Sequence, residues 1–332
     1  MEELPQYTYR VRDYERLNLF LRQNHWPQNL INTFVSNINS TSKIYFIYDD
    51  SGSMSGSDGK IFKDEREVNC SRWEELLQAF NFNSMISILG SIETNVKFLN
   101  AGSYQFGNSY VTETDSFLRK FQEMNGGYTP LAKTLREIIN DLKDYRTYSL
   151  NTEKAQVTIY TDGEPSDCNN EEFKALLKDL IINQNANVTI RLLTDEENVL
   201  NYWNSIESDV ELNLDIIDNF LSECKEVENI NPKICYPYQI HQLREFGIAL
   251  SLFDHLDERI LNNSQLKQYI SLFIDQDISG LDLTKYQDQV VLESYMRQIE
   301  PLKCFIHNNS RLPVNFFQEK CKTKKNSRCI VM

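Results

Sequence analysis

Between residues 43 and 217, short apolar segments alternate with longer segments in which apolar residues recur at helical spacing. The short segments have the length of strands and lie at 44–48, 96–99, 157–160, 188–193 and 212–217. Spacings of three and four residues predict helices at 73–80, 131–142, 173–181 and 199–206. This alternation predicts an α/β fold with a Rossmann-like, mostly parallel sheet sandwiched by helices.

The same patterns divide the chain of 332 residues into four parts. Residues 1–42 are expected to form a helical N-terminal extension, and residues 43–221 the α/β domain. Helical spacing without further strands predicts a helical C-terminal region over 222–312. Residues 313–332 are predicted to be a flexible polybasic tail.

Three polar segments follow predicted strands or precede a predicted helix. They are Asp-Asp-Ser-Gly-Ser at 49–53, Gly-Gly-Tyr-Thr-Pro-Leu at 126–131 and Thr-Asp-Gly-Glu-Pro at 161–165. Ligands of parallel sheets bind at the carboxyl ends of the strands, so these segments are expected to meet at one edge of the sheet. Their carboxylates and hydroxyls are hard oxygen ligands, which suit Mg²⁺.

Taken in this order, the three segments resemble the metal-ion-dependent adhesion site of von Willebrand factor A domains, over roughly residues 43–220. The resemblance implies a set of metal ligands in this chain, namely Asp49, Ser51, Ser53, Thr129 and Asp162. Asp162 is expected to reach the ion either directly or through a water. The implied ion is Mg²⁺, with Mn²⁺ or Ca²⁺ as alternatives, and the second acid of the first segment, Asp50, is expected to be solvated.

Members of this family bind partner proteins through an open coordination position on the ion. The resemblance therefore implies a non-enzymatic protein-interaction module whose partner offers an acidic side chain to the metal. The alternative is a Mg²⁺-dependent, phosphatase-like hydrolase with Asp49 as nucleophile. Such chemistry usually has a second aspartate two residues later, where this chain has Ser51, and the four histidines lie outside the three segments.

The net charge of −14 disfavours a nucleic acid as partner, because phosphate binding needs a basic surface. No apolar run is long enough to span a membrane, and the first residues are acidic rather than signal-like. The seven cysteines are scattered without a close pair, so those upstream of Cys321 are expected to be free thiols in a reducing compartment.

The last four residues, Cys329 to Met332, match a prenylation signal, and a terminal Met favours a farnesyl group. Residues 320–328 add five basic residues without an acid, which would attract the tail to an anionic membrane surface. A cytosolic prenyltransferase is then an expected partner, and Cys321 is a further candidate for acylation. The tail thus predicts a cytoplasmic protein held at the cytosolic face of a membrane by its lipid anchor.

Overall fold

The computed structural model describes residues 11–63, 66–107, 126–148, 153–210 and 214–297. The strands are β1 (Thr41–Tyr48), β2 (Gly59–Lys63), β3 (Arg66–Cys70), β4 (Thr94–Phe98), β5 (Gly102–Phe106), β6 (Lys154–Thr161), β7 (Ala186–Leu192) and β8 (Leu214–Ile217). The helices are α1 (Tyr14–Gln23), α2 (Gln28–Asn39), α3 (Arg72–Leu89), α4 (Leu131–Tyr148), α5 (Asn170–Lys178), α6 (Glu197–Val210), α7 (Phe220–Ile230), α8 (Tyr238–Glu245), α9 (Asn263–Ser271) and α10 (Tyr286–Met296).

Six strands form the main sheet, in the order β5-β4-β1-β6-β7-β8. All neighbours in this sheet are parallel except β4 and β5, which are antiparallel. The chain runs from β1 outwards to β4 and β5 and then crosses back to β6 on the other side of β1. Strand order therefore reverses between β1 and β6, which is where a doubly wound sheet opens a crevice at its carboxyl edge. The predicted α/β fold with a mostly parallel sheet is confirmed.

Helices cover both faces of this sheet, and alternate residues of β1 point to the two faces. Ile44, Phe46 and Tyr48 belong to one apolar core, together with α1, α2, α3 and the C-terminal helices. Tyr45 and Ile47 belong to the other core, with α4, α5 and α6. Because β1 is buried on both sides, its residues 44–48 form a continuous apolar run rather than an alternating one.

The N-terminal and C-terminal helices share one core on the first face. The ring of Phe246 packs edge-on against Phe34 of α2 and Phe46 of β1, with centroid distances of 5.0 and 5.1 Å. The indole N–H of Trp26 donates to Oε1 of Gln242 at 3.2 Å. The predicted helical N-terminal segment is present as α1 and α2, and the predicted domain boundaries stay predictions.

Two features of the sheet were not expected from the sequence. The hairpin of β2 and β3 forms a separate two-stranded sheet, and β5 adds an antiparallel edge to the main sheet. These strands are five residues each and mostly half-buried or exposed, so they lack the apolar runs that marked the central strands. Among the described residues, no helix is both long and apolar enough to cross a membrane.

The cysteines differ in part from the expectation of free thiols. Cys70, Cys168 and Cys224 are free, as expected. Cys235 is disulfide-bonded, so the expectation was wrong for this residue. Sequence spacing could not show this bond, because disulfides depend on distances in the fold rather than on separation along the chain.

Candidate metal site

The first and third polar segments lie side by side at the carboxyl edge of the sheet. Tyr48 at the end of β1 is in register with Tyr160 near the end of β6. The next residue, Asp49, continues the ladder, since its backbone N–H donates to the carbonyl of Tyr160 at 2.9 Å. Asp49 and Asp162 are therefore brought to the same crevice, as the strand ends predicted.

Asp49 is fully buried and both of its carboxylate oxygens are hydrogen-bonded. Its Oδ1 accepts from the backbone N–H of Ser51 at 2.9 Å, and its Oδ2 accepts from the hydroxyl of Thr161 at 2.7 Å. Gly52–Ser55 then form a single 3₁₀ turn, which bends the segment back over the strand end. The turn brings Ser51 and Ser53 together, with their Oγ atoms 3.0 Å apart.

Ser53 connects the first segment to the third. Its hydroxyl donates to Oδ1 of Asp162 at 2.9 Å. Asp162 is 2% exposed and Ser51 is 1% exposed, whereas Ser53 lies at the surface. Four of the five predicted ligands thus form a continuous set of oxygen atoms that runs from a buried carboxylate to a solvent-exposed hydroxyl.

Thr129, the fifth predicted ligand, is brought to the same place by the second segment. The backbone N–H of Gly52 donates to the carbonyl of Gly127 at 3.1 Å, which joins the first two segments. The backbone N–H of Thr129 donates to Oγ of Ser166 at 3.0 Å, which joins the second segment to the third. Within the described part of the chain, the Thr129 hydroxyl has no hydrogen-bond partner, and it lies 4.0 Å from where a Cβ on Gly163 would be.

Hydrogen bonds from Asn100 hold the first two segments together, and they show that the expectation for Asp50 was wrong. Asp50 is fully buried rather than solvated, and its Oδ1 accepts from the backbone and side-chain N–H groups of Asn100 at 2.7 and 3.0 Å. The same Asn100 amide donates to the carbonyl of Tyr128 at 3.0 Å. Asn100 comes 50 residues after Asp50, so the sequence carried no local signal for this contact.

Arg72, the first residue of α3, was also missed by the sequence analysis. Its guanidinium donates to Oδ2 of Asp162 at 2.8 Å and to both oxygens of Asp58 at 2.6 and 3.0 Å. A third carboxylate, that of Glu196, accepts from the same group. Arg72 was part of a helix start in the sequence, and nothing in its spacing linked it to residues 90 and 124 positions away.

Burial makes the negative charge of the carboxylates in this site energetically unfavourable. Burial raises the pKa of Asp49 to about 6, and the neighbouring Asp162 adds to this rise, whereas hydrogen bonds from Ser51 and Thr161 lower it. Two buried carboxylates that share a crevice are electrostatically costly unless a cation compensates them, and here Arg72 compensates only Asp162 directly. Burial also disfavours ionisation of Asp58, but the Arg72 guanidinium outweighs it and holds the pKa of that carboxyl well below its usual range.

The donor set fits a hard divalent cation. Carboxylate and hydroxyl oxygens surround one crevice, and the groups that contact it include no sulfur or imidazole ligand among the residues described. Such a set of few carboxylates and neutral hydroxyls suits Mg²⁺, which keeps several waters when bound. That these five residues bind a metal remains a prediction.

A second group of acids lies elsewhere, with carboxylate oxygens of Glu223, Glu226 and Asp257 within 4.8 Å of one another. Glu223 is already paired with the buried Arg244, which balances its charge. Burial, together with Glu223 and other nearby acids, raises the pKa of Glu226 to about 7. This group consists of carboxylates of the C-terminal region, and it lies apart from the segments around Asp49.

Comparisons with known proteins give a fold likeness only. A scan against models of protein families finds no match, and a search of curated proteins finds no relative. Among solved structures, the chain is similar to the manganese-loaded TRAP protein of Plasmodium vivax, with 13% identity and a TM-score of 0.33. The likeness covers 54% of this chain and 69% of the TRAP chain. A likeness of this extent does not assign the chain to a family.

Proposed function

We propose that this chain is a Mg²⁺-dependent protein-interaction module of the von Willebrand factor A type. The observation that carries the proposal is the convergence of Asp49, Ser51, Ser53, Thr129 and Asp162 from three separate loops on one crevice. A bound Mg²⁺ would supply an open coordination position for an acidic side chain of the partner. Mn²⁺ and Ca²⁺ also bind carboxylate and hydroxyl oxygens and are the alternative ions.

The surface around the crevice supports a role in binding a macromolecule. Tyr128, beside Thr129, is 82% exposed, and Ser53 is exposed at the mouth of the site. Tyrosine is enriched at protein interfaces, because its ring contributes apolar area while its hydroxyl remains a hydrogen-bond donor. A partner that places a carboxylate in the crevice would therefore meet Tyr128 at the rim.

Binding of the metal is tested by titration calorimetry with MgCl₂ and MnCl₂ on chelator-treated protein. Asp49→Asn is expected to abolish binding, because it removes a buried anionic ligand. The matched control is Asp282→Asn, a half-exposed aspartate of the C-terminal region, and this variant should bind the metal as the wild type does. No binding by the wild type, or equal affinity in Asp49→Asn, would overturn the proposal.

Partner binding is tested by capturing proteins from cell extract on the immobilised chain, with Mg²⁺ or with EDTA. Capture that requires Mg²⁺ and is lost in Asp49→Asn is the expected result. Capture that is the same under all conditions would contradict a metal-dependent module, even if the metal itself binds.

The alternative function, a phosphatase-like hydrolase, is favoured by one observation, the buried carboxylate of Asp49 at the end of the first strand of the main sheet. Against it, the residue two positions later is Ser51, and His25, His241 and His255 form no hydrogen bond to Asp49 or Asp162 in the described structure. Assays on a panel of phosphoesters should show no Mg²⁺-dependent turnover. Turnover that disappears in Asp49→Asn would establish the hydrolase instead.

We also propose that the tail tethers the module to the cytosolic face of a membrane, through farnesylation of Cys329 and the basic residues before it. The tail lies outside the described residues. The disulfide at Cys235 is an observation against this placement, because cytosolic thiols are kept reduced. Fractionation of cells that express the wild type or Cys329→Ser decides the point: a shift from membrane to cytosol is expected, and no shift would reject lipidation.

A further inference from the structure

Arg72 brings a positive charge to the edge of the proposed metal site. Its side chain is 7% exposed and contacts three carboxylates from three different loops, those of Asp58, Asp162 and Glu196. Among these acids, Asp162 is the one assigned to the metal. Burial disfavours a charged guanidinium, but the hydrogen bonds that Arg72 donates to the three acids outweigh this effect and raise the pKa of Arg72. Arg72 therefore remains a fixed cation.

The backbone around Arg72 is arranged to hold the guanidinium in one position. Ser71 and Glu74 form a capping box that fixes the start of α3. The backbone N–H of Arg72 donates to the carbonyl of Gly56 at 2.9 Å. A Cβ on Gly56 would lie 2.7 Å from Nε of Arg72, so the loop can pass this close only because residue 56 is a glycine.

The position of Arg72 divides the two oxygens of Asp162 between different roles. Oδ2 accepts from Arg72 at 2.8 Å, and Oδ1 accepts from the hydroxyl of Ser53 at 2.9 Å. Asp162 thus presents one oxygen to the crevice, on the side of the serine hydroxyls. The guanidinium also offsets part of the negative charge that a divalent cation would otherwise find there.

We propose that Arg72 is a positioning residue that sets the affinity of this site for divalent cations. It holds Asp162 with a single oxygen towards the crevice and acts as a built-in counter-ion that weakens cation binding. This inference rests on the proposed function, since it concerns the same metal site. Because Arg72 offsets part of the negative charge of the ligands, the site releases its ion more readily. For the same reason, a bound cation keeps more of its positive charge and attracts the carboxylate of a partner more strongly.

A merely structural role for Arg72 makes a different prediction. If Arg72 only stabilised the loops, any variant that breaks its contacts would loosen the site and weaken cation binding. A counter-ion predicts opposite signs for two variants. Arg72→Gln removes the positive charge but keeps an amide donor near Asp162, so binding should tighten. Asp58→Asn leaves Arg72 less neutralised, so binding should weaken.

The experiment is titration calorimetry of the full chain with MnCl₂ and MgCl₂. Arg72→Gln is expected to bind Mn²⁺ about tenfold more tightly than the wild type, and Asp58→Asn several-fold more weakly. Arg136→Gln is the charge-matched control, because Arg136 is half-exposed and pairs with Glu172 on the surface. Its affinity should stay within about twofold of the wild type, since solvent screens an exposed charge.

The outcomes separate this inference from the proposed function. No binding by the wild type would overturn both. Binding by the wild type together with weaker or equal binding by Arg72→Gln would overturn the role of Arg72 alone. If Arg72→Gln does not fold, as judged by circular dichroism, Asp58→Asn can still reject the counter-ion, because equal or tighter binding by this variant contradicts it.

Discussion

Two adjacent glycines in the second loop of the candidate site should respond very differently to the same substitution. Gly126 and Gly127 both have positive φ angles, of 74° and 136°. A Cβ on Gly126 would meet no atom within 4 Å, whereas a Cβ on Gly127 would lie 2.5 Å from Oδ1 of Asn100. Gly126→Ala therefore introduces only backbone strain, and Gly127→Ala adds a steric clash.

The magnitudes follow from these contacts. A left-handed backbone costs an alanine about 1–2 kcal/mol, and the loss of glycine flexibility in the unfolded chain returns part of this, so Gly126→Ala should cost about 1 kcal/mol or less. Gly127→Ala has a comparable or larger strain and must also displace Asn100. Because the Asn100 side-chain amide donates to the buried carboxylate of Asp50 and to the carbonyl of Tyr128, the total should reach about 3–5 kcal/mol.

Urea denaturation in the absence of divalent cations measures both free energies of unfolding. A parallel titration with MgCl₂ should show weakened binding in Gly127→Ala, because the loop that carries Thr129 shifts, and nearly unchanged binding in Gly126→Ala. Equal destabilisation by the two substitutions would refute the reasoning, since it would mean that the Asn100 contact does not hold the loop.

Two further predictions concern regions away from the site. Burial, together with the nearby Asp215, raises the pKa of Glu207 to about 7, so ionisation of Glu207 should reduce stability as pH rises from its ordinary pKa of 4.5 to about 7. Glu207→Gln should be as stable as the wild type near pH 4.5 and increasingly more stable than the wild type as the pH rises to about 7. A difference in the free energy of unfolding that stays constant across this range, as measured by urea denaturation, would contradict the burial of a titrating carboxyl. Trp26→Phe removes the hydrogen bond to Gln242 and some buried volume, and should cost about 2 kcal/mol in the same assay. An unchanged unfolding midpoint would argue against a core shared by the two ends of the chain.

The central part of the fold could be predicted from the sequence because its strands are buried on both faces. Residues 44–48 of β1 are apolar at every position, and the polar residue that follows them, Asp49, is then conspicuous. The same logic placed Asp162 at the end of β6, and both predictions agree with the observed register. The half-exposed hairpin of β2 and β3 carries no such pattern, and the sequence did not reveal it.

The side-chain environment of the site could be predicted only in part. Proximity of the three loops follows from strand order, but the partners of individual charges depend on residues far away in the chain. Asp50 was expected in solvent because its donor, Asn100, comes from the end of the neighbouring parallel strand. Arg72 was not connected to Asp162, because a single sequence does not show which helix start faces the crevice. The disulfide at Cys235 was missed for the same reason.

The position of Phe246 between Phe34 and Phe46 has a consequence for synthesis of the protein. Phe246 completes the apolar core on this face of the sheet, but it leaves the ribosome about 200 residues after Phe46. This distance corresponds to about 10–40 s at ordinary rates of translation. During this interval, the strands and the loops around Asp49 and Asp162 are already synthesised while one apolar face is still uncovered. A nascent chain of this protein should therefore depend on chaperones until its C-terminal helices emerge, and products of premature termination should aggregate.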